Sequence, residues 1–292
     1  MKRILITGAN SYIGTSFENF MAQFGEDYQI DTIDMRGNSW REKDFSGYDS
    51  LIHVAGIVHV KEKNDQLYYQ VNRDLAVETA KKAKKDGVKQ FIFFSSMSIY
   101  GMDTGVITKE TKPNPKNAYG KSKLAAEELL KELQADDFQI CVLRPPMIYG
   151  PNSVGNYSRL AKLAKKTPIF PKVNNQRSML YIGNLSAFLK LMIDTTLSGT
   201  FHPQNKEFVN TSEMVKLISK VNNLNLFLVP GFGEIIKKLS KYFNILNKIF
   251  GSLTYSDGTV GFPNSQYNEI KLSYQVVEID QSILYSEQKG EI

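Results

Sequence analysis

Tyr119 and Lys123 stand four residues apart in Ala118-Tyr119-Gly120-Lys121-Ser122-Lys123, at the start of a run rich in Ala, Leu, Glu and Lys. If that run is helical, the two side chains share one face. An ammonium beside a phenol favours the phenolate, so such a tyrosine can exchange a proton near neutral pH, where an unperturbed one, with a pKa of about 10, does so poorly. The pair is an acid/base device, although the same spacing also occurs on ordinary solvated helices. Upstream, Ser95, Ser96 and Ser98 cluster in Ser95-Ser96-Met97-Ser98-Ile99-Tyr100-Gly101, where a hydroxyl can cap a turn or hold a reacting oxygen. Near the start, Gly8-Ala9-Asn10-Ser11-Tyr12-Ile13-Gly14 follows the apolar run Arg3 to Thr7. A glycine turn between a strand and a helix lets backbone amides approach a pyrophosphate and aims the helix N-terminus at it. Ser11 stands where such turns usually have their middle glycine; it either opens the approach to the phosphates slightly or touches them with its hydroxyl.

These groups need a scaffold, and the first half of the chain supplies an alternation of short apolar runs and helical segments. Arg3 to Thr7, Gln29 to Asp34, Ser50 to Val54, Gln90 to Ser95 and Gln139 to Leu143 read as strands, and Tyr12 to Phe24, Leu67 to Lys85 and Ala118 to Leu133 as helices. The pattern predicts an α/β fold, a doubly wound parallel sheet of the Rossmann type with a smaller C-terminal substrate-binding part. Beyond Pro145 the alternation fades, prolines punctuate shorter elements, and a helix from Leu185 to Asp194 follows the segment Arg177 to Ile182. The dinucleotide-binding domain is therefore expected over 1–150 and about 176–205, and the substrate part over about 151–175 and 206–292. At the end of the second strand, Asp34 can hold a ribose diol and would repel a 2'-phosphate, whereas Arg36 would welcome one. This pair tips the expectation to NAD(H), with NADP(H) as the alternative. Asp44 and Phe45, ahead of the third strand, either bracket an adenine or form a plain turn.

A chain of 292 residues suffices for one large domain with an appendage, and a net charge of +6 spread over scattered lysines argues against a nucleic-acid partner. The single cysteine, Cys141, lies in the apolar run Phe138 to Leu143, which rules out an intramolecular disulfide framework and makes it a buried small hydrophobe. His53, His59 and His202 lack metal-ligand spacing, so no metal is expected. No run of about 18 apolar residues is present, and the N-terminus reaches a glycine too early for a secretory segment; a cytoplasmic protein is expected. Ile235, Ile236, Leu239, Phe243, Leu246, Ile249 and Phe250 recur at helical spacing among Lys237, Lys238, Lys241 and Lys248. A helix there either packs on the core with a solvated back, the reading taken here, or lies on a membrane surface. The polar last dozen residues are expected to fray.

Taken together, the motifs resemble the extended short-chain dehydrogenase/reductase family of nucleotide-sugar epimerases, dehydratases and ketoreductases. The resemblance rests on Gly8 to Gly14, His53-Val54-Ala55-Gly56, Val71-Asn72, Ser95 to Gly101, Tyr119 to Lys123, Arg144-Pro145-Pro146-Met147-Ile148-Tyr149-Gly150-Pro151, and Arg177-Ser178 with Tyr181-Ile182-Gly183-Asn184-Leu185. It implies Ser96, Tyr119 and Lys123 as the catalytic set, with Lys123 lowering the pKa of Tyr119 and holding the nicotinamide ribose. It implies cofactor contacts from Gly8, Asn10, Ser11, Tyr12, Ile13, Gly14, Asp34, Arg36, Asp44, Phe45, Val54, Ala55, Gly56, Asn72, Ser95 and Pro146, and substrate contacts from Ser96, Ser98, Tyr119, Asn156 and Arg177. The guanidinium of Arg177 would pair with a sugar-nucleotide diphosphate. In the family's 4,6-dehydratases Glu and Asp stand where this chain has Ser98 and Met97, so dehydration is not expected. The whole is most similar to bacterial capsule and O-antigen reductases of UDP-4-keto-6-deoxy-N-acetylhexosamines, with UDP-galactose 4-epimerase-like proteins as the alternative and a non-catalytic dinucleotide sensor as a third reading. Relatives often form homodimers through the helices corresponding to Leu67 to Lys85 and Ala118 to Leu133.

Overall fold

A computed structural model describes residues 1–58, 64–240, 242–256 and 274–288. His59 and Lys241 lie outside the described residues. Six strands form an all-parallel sheet in the order β10-β6-β4-β3-β1-β2. They are β1 (Lys2–Thr7), β2 (Tyr28–Ile33), β3 (Ser50–His53), β4 (Gln90–Phe94), β6 (Gln139–Leu143) and β10 (Gly199–Phe201). Strands β3 and β4 are buried at every position, as strands covered by helices on both faces must be.

The helices on the sheet are α1 (Tyr12–Met21), α2 (Asp65–Tyr68), α3 (Leu75–Lys85), α4 (Ala118–Lys131) and α6 (Ile182–Thr195). Instead of running on to Phe24, α1 gives way to a 3-10 segment, Ala22–Asp27, that bends at Gly25. Between α2 and α3 the chain stays helical through a π turn, Tyr69–Asp74.

Three two-stranded parallel pairs carry the remainder: β8 (Ile169–Pro171) with β11 (Phe227–Val229), β5 (Gly105–Ile107) with β12 (Leu253–Tyr255), and β7 (Met147–Tyr149) with β9 (Met179–Tyr181). Around them lie α5 (Asn156–Ala164), α7 (Thr211–Val221), α8 (Gly233–Leu239), α9 (Asn244–Phe250) and α10 (Ile279–Glu287). Of the last dozen residues, expected to fray, 281–287 are helical in α10, anchored where Tyr149 Oη meets Ser282 Oγ at 2.6 Å and Tyr157 Oη donates to Glu287 at 2.9 Å, and 289–292 lie outside the described residues. One hydrophobic cluster runs from Ile4, Ile6 and Phe17 under the sheet through Leu185 and Phe188 of α6 to Met214, Ile218 and Ile283.

The amphipathic segment departs from the sequence reading. Helix α8 buries none of its residues; Ile235 and Leu239 are exposed, as are Tyr242 and Phe243 beyond it. Only α9 contributes to the core, through Phe250 against Phe170. The periodicity identified the amphipathic face, but a face of that kind looks the same in sequence whether or not anything covers it.

Candidate active site

Because the sheet is wholly parallel, the C-terminal ends of β1, β3, β4 and β6 open on one edge. Strand β1 has β2 on one side and β3 on the other, so the connections diverge there and leave a crevice. Gly8 leaves β1 at φ +101°, and a Cβ on it would come within 2.9 Å of Ala55 N. Only glycine lets the turn after β1 approach the Val54-Ala55-Gly56 turn this closely. The Gly8 and Ala9 amides both donate to Ile33 O, while Tyr12 and Ile13, as the first two residues of α1, have amides with no intrahelical acceptor. Ser11 caps α1 by accepting from Gly14 N at 3.1 Å. In place of the usual glycine it serves the helix start, and Asn10 beside it takes φ +61°.

At the far end of the crevice Asp34 and Arg36 pair with each other, Arg36 Nη2 donating to Asp34 Oδ2 at 2.6 Å and Nε at 2.9 Å. That guanidinium holds the Asp34 carboxyl down at about 2. The two opposed cofactor preferences therefore sit in a single exposed ion pair. Phe45 does not border the crevice: it is wholly buried in the core beneath Lys82, whose ammonium lies 4.7 Å from the ring centre. Asp44 accepts from Ser46 N and Oγ, both at 2.7 Å, the plain turn of the two readings.

Asn72, in the π turn, is fully buried. Its carboxamide accepts from Ile57 N at 2.8 Å and donates to Ile57 O and Ser122 Oγ. It ties the loop after β3 to α4 and presents no free face to a ligand. Ser95 is buried at the end of β4, and its hydroxyl has no hydrogen-bond partner among the described residues. Pro146 is buried beside it in the chain segment that follows β6.

Tyr119 and Ser96 are brought together by the way α4 begins. Asn117 caps the helix, accepting from Gly120 N at 2.8 Å. A Cβ on Gly120 would lie 2.9 Å from Ser98 O, so the missing side chain is what lets the first turn of α4 rest on the 96–98 turn. The Ser96 side chain lies beside the Tyr119 phenol, near enough to lower its pKa, and the Ser96 hydroxyl accepts from Ser98 N and donates to Ser98 Oγ, both at 3.1 Å. One turn along α4, Lys123 is buried with its ammonium 4.7 Å from the centre of the Phe93 ring. Gly56 lies alongside, and a Cβ there would stand 3.3 Å from Lys123 Nζ.

The protonation states differ from the sequence reading. Burial raises the Tyr119 phenol above its ordinary value, against the neighbouring Ser96 side chain that lowers it, with Tyr68 adding to the rise. Lys123 is not among the groups that move it. Lys123 itself is lowered to about 7 by burial, opposed by Glu127. In a dry site desolvation outweighs the attraction expected between the two. His53, stacked on Phe91 and Phe93 and bonded to Thr7 Oγ1 at 2.8 Å, is lowered by burial and then by Lys123 to about 3; it stays neutral.

A pH signature follows from Lys123. The unfolded chain keeps that proton up to its ordinary value near 10, whereas the folded protein releases it above about 7. Between those limits the unfolded state binds more protons, so stability rises with pH. Above that window the buried tyrosines, raised in the fold, reverse the trend. In Lys123→Met the rise across this window is lost; thermal unfolding of both proteins over that range checks it, and parallel profiles would contradict it.

Sequence reasoning missed the group behind Lys123. Glu127, the next turn of α4, is fully buried and takes Arg144 from the end of β6 in a forked pair, Nε at 3.1 Å and Nη2 at 2.5 Å. Arg144 Nη1 also donates to Tyr100 Oη at 2.8 Å, and Tyr100 Oη meets His202 Nε2 at 2.8 Å. The available signal was an acid spaced four from Lys123 on a helix whose inner face must be dry.

The remaining candidates sit farther out. Arg177 pairs in isolated bridges with Val209 and Leu253, and through β12 and β5 that joins it to the chain just after Tyr100. Its guanidinium donates to Gly251 O at 2.8 Å, at the C-terminal end of α9, where helix carbonyls favour a cation. Asn156 opens α5, exposed, behind Gly155 at φ +116°. Ser98 is exposed at the turn. Among the described residues no cluster of His, Cys, Asp and Glu could hold a metal ion, and no helix is long and apolar enough to cross a membrane.

The model of the NAD dependent epimerase/dehydratase family matches residues 4–202. An N-acetyl-α-D-glucosaminyl-diphospho-ditrans,octacis-undecaprenol 4-epimerase from Escherichia coli O157:H7 is 28% identical over 273 residues, covering 85% of this chain and 81% of its own. A UDP-glucose 4-epimerase from Vibrio cholerae is 28% identical over 284 residues, 86% of each chain. The structure of UDP-glucuronic acid 4-epimerase from Bacillus cereus in complex with NAD matches with a TM-score of 0.72 at 17% identity, over 98% of this chain and 97% of that one, a likeness of fold.

Proposed function

Because the chain belongs to the NAD-dependent epimerase/dehydratase family, we propose that it is a nicotinamide-dependent enzyme acting at C4 of a diphosphate-linked hexose or N-acetylhexosamine, and that it works as a 4-epimerase on a UDP-sugar. The observation that carries this reading is the placement of the Ser96 side chain beside the Tyr119 phenol, with Lys123 one helical turn away on α4. The two curated relatives with matched lengths, both named 4-epimerases, support the choice.

A dinucleotide fits the residues present. Gly8 leaves room that a Cβ would fill, the first amides of α1 have no intrahelical acceptor, and the buried Ser95 hydroxyl has no hydrogen-bond partner among the described residues. Gly8, Asn10, Tyr12 and Ile13 would hold the pyrophosphate, Asp34 with Arg36 the adenosine ribose, and Lys123 the nicotinamide ribose. Bound there, the dinucleotide supplies the hydride acceptor and donor. The protein's part is proton handling and positioning: Tyr119, as the phenolate, takes the proton of the C4 hydroxyl and, as the phenol so formed, returns it, Ser96 Oγ orients that oxygen, and Arg177 pairs with the diphosphate.

A second reading, reduction of a UDP-4-keto-6-deoxy-N-acetylhexosamine, is favoured by two observations. Burial keeps Tyr119 a neutral phenol, the form that protonates an alkoxide, and Arg36 at the ribose end suits the 2'-phosphate of a consumable NADPH. Product analysis separates the two. The epimerase interconverts UDP-N-acetylglucosamine and UDP-N-acetylgalactosamine, or the glucose pair, with no net cofactor consumption, whereas the reductase oxidises stoichiometric NADH or NADPH only when given the keto sugar. Neither result, across that panel, would reject both readings.

A further inference from the structure

The face that α8 leaves uncovered carries a second, independent feature. Phe232, Ile235 and Leu239 recur at helical spacing at and along α8, and Tyr242 and Phe243 follow it, with Ile235 53%, Phe243 57% and Tyr242 82% exposed. In α8 itself no residue is buried, although soluble helices normally cover such a stripe. The small sheet just before it adds Phe227 and its paired neighbour Ile169, both exposed. Charge distinguishes the occupants this face would accept. From 221 to 250 the sequence carries four lysines, Lys237, Lys238, Lys241 and Lys248, against one carboxylate, Glu234. Lys237, Lys238 and Lys248 are exposed.

An apolar stripe bordered by lysines, on a helix far too short to span a bilayer, matches what an anionic lipid surface binds: aromatic and aliphatic side chains enter the headgroup boundary while lysines meet the negative surface potential. A second copy of this chain would bring the same lysines against each other. We propose that the α8 face docks this protein peripherally on an anionic membrane surface. The proposal goes beyond the reaction assigned above and does not depend on it. It places the C-terminal end of α9, where Gly251 O holds Arg177, on the segment that follows the docked helix.

Co-sedimentation tests it, using the full chain with vesicles of phosphatidylcholine alone or mixed with phosphatidylglycerol. The expected result is pelleting with the anionic vesicles only, weakened by high salt. Ile235→Ser/Phe243→Ser, and separately Lys237→Glu/Lys238→Glu, should lower the bound fraction by at least about fivefold. Turnover of soluble substrate and the thermal midpoint should stay unchanged, since these side chains are exposed. Absence of pelleting, pelleting that ignores both double variants, or a solution dimer that Ile235→Ser/Phe243→Ser converts to a monomer would each overturn the proposal, the last by making the face an interface between copies.

Discussion

Tyr119→Phe is expected to lower turnover by about 100- to 10,000-fold while leaving dinucleotide affinity within about twofold, the range attributable to one positioned acid/base group. The phenol oxygen is the only part removed, and its neighbour is the Ser96 side chain. The ring keeps its edge-on contact with Tyr68, at 6.4 Å between centroids, so the variant should unfold at nearly the wild-type temperature. Ser96→Ala should lose less, because Ser98 Oγ, 3.1 Å from Ser96 Oγ, remains beside the vacated position. The check is kcat together with a fluorescence titration of NADH. Turnover within threefold of wild type would remove Tyr119 from the chemistry, whereas equal loss of binding and turnover would make its role structural.

The second large effect is on stability. Arg144→Met strands Glu127, whose side chain is wholly buried, without its cation. Removing one partner of a buried pair costs about 3–5 kcal/mol because the other is left charged in a dry interior. Most of that cost should vanish in Arg144→Met/Glu127→Leu, since exchanging both partners for apolar groups of similar volume is often neutral. Denaturant titrations of the two variants measure it. A single variant within about 1 kcal/mol of wild type would show that the pair is solvated or replaceable. The same group stands behind the chemistry, for Glu127 opposes the fall in Lys123's pKa; the single variant should therefore also shift the pH dependence of turnover.

The sheet was legible because β1, β3, β4 and β6 are built on short apolar runs and β2 places Tyr28, Ile30 and Ile33 among polar residues, and observed limits fall within a residue or two of those expected: β2, for example, stops at Ile33, leaving Asp34 just beyond it. Strand β10 escaped notice because three residues, Gly199–Phe201, carry no alternation. That Ser96 would lie beside Tyr119, with Lys123 one turn along the same helix, could be expected from sequence because spacing along one helix and position at a strand end are local properties. Their protonation states were not legible, because Lys123 reads as a charge in sequence while its environment, Phe93 and the α4 interior, is assembled from distant segments. Phe45 failed for a related reason: an aromatic beside a turn carboxylate looks the same whether it faces a ligand or, as here, the core. Asn72 was expected to contact the cofactor, and its amide is instead consumed by Ile57 and Ser122, a partnership no spacing rule reveals. The α8 stripe was seen and assigned to the core; only the three-dimensional arrangement tells a covered face from an open one.

The central claim is direct hydride transfer at C4 of a sugar held over Tyr119. Its most direct measurement is the fate of deuterium placed at C4 of UDP-N-acetylglucosamine or UDP-glucose, followed by mass spectrometry and proton NMR of the product after incubation with the protein and NAD. The account predicts a C4-inverted product that retains the deuterium at C4, with none released to water, and no such product from Tyr119→Phe on the same timescale. A C4-inverted product with its deuterium lost to solvent would contradict it, since the proton chemistry of Tyr119 would then be acting on carbon rather than on the C4 oxygen.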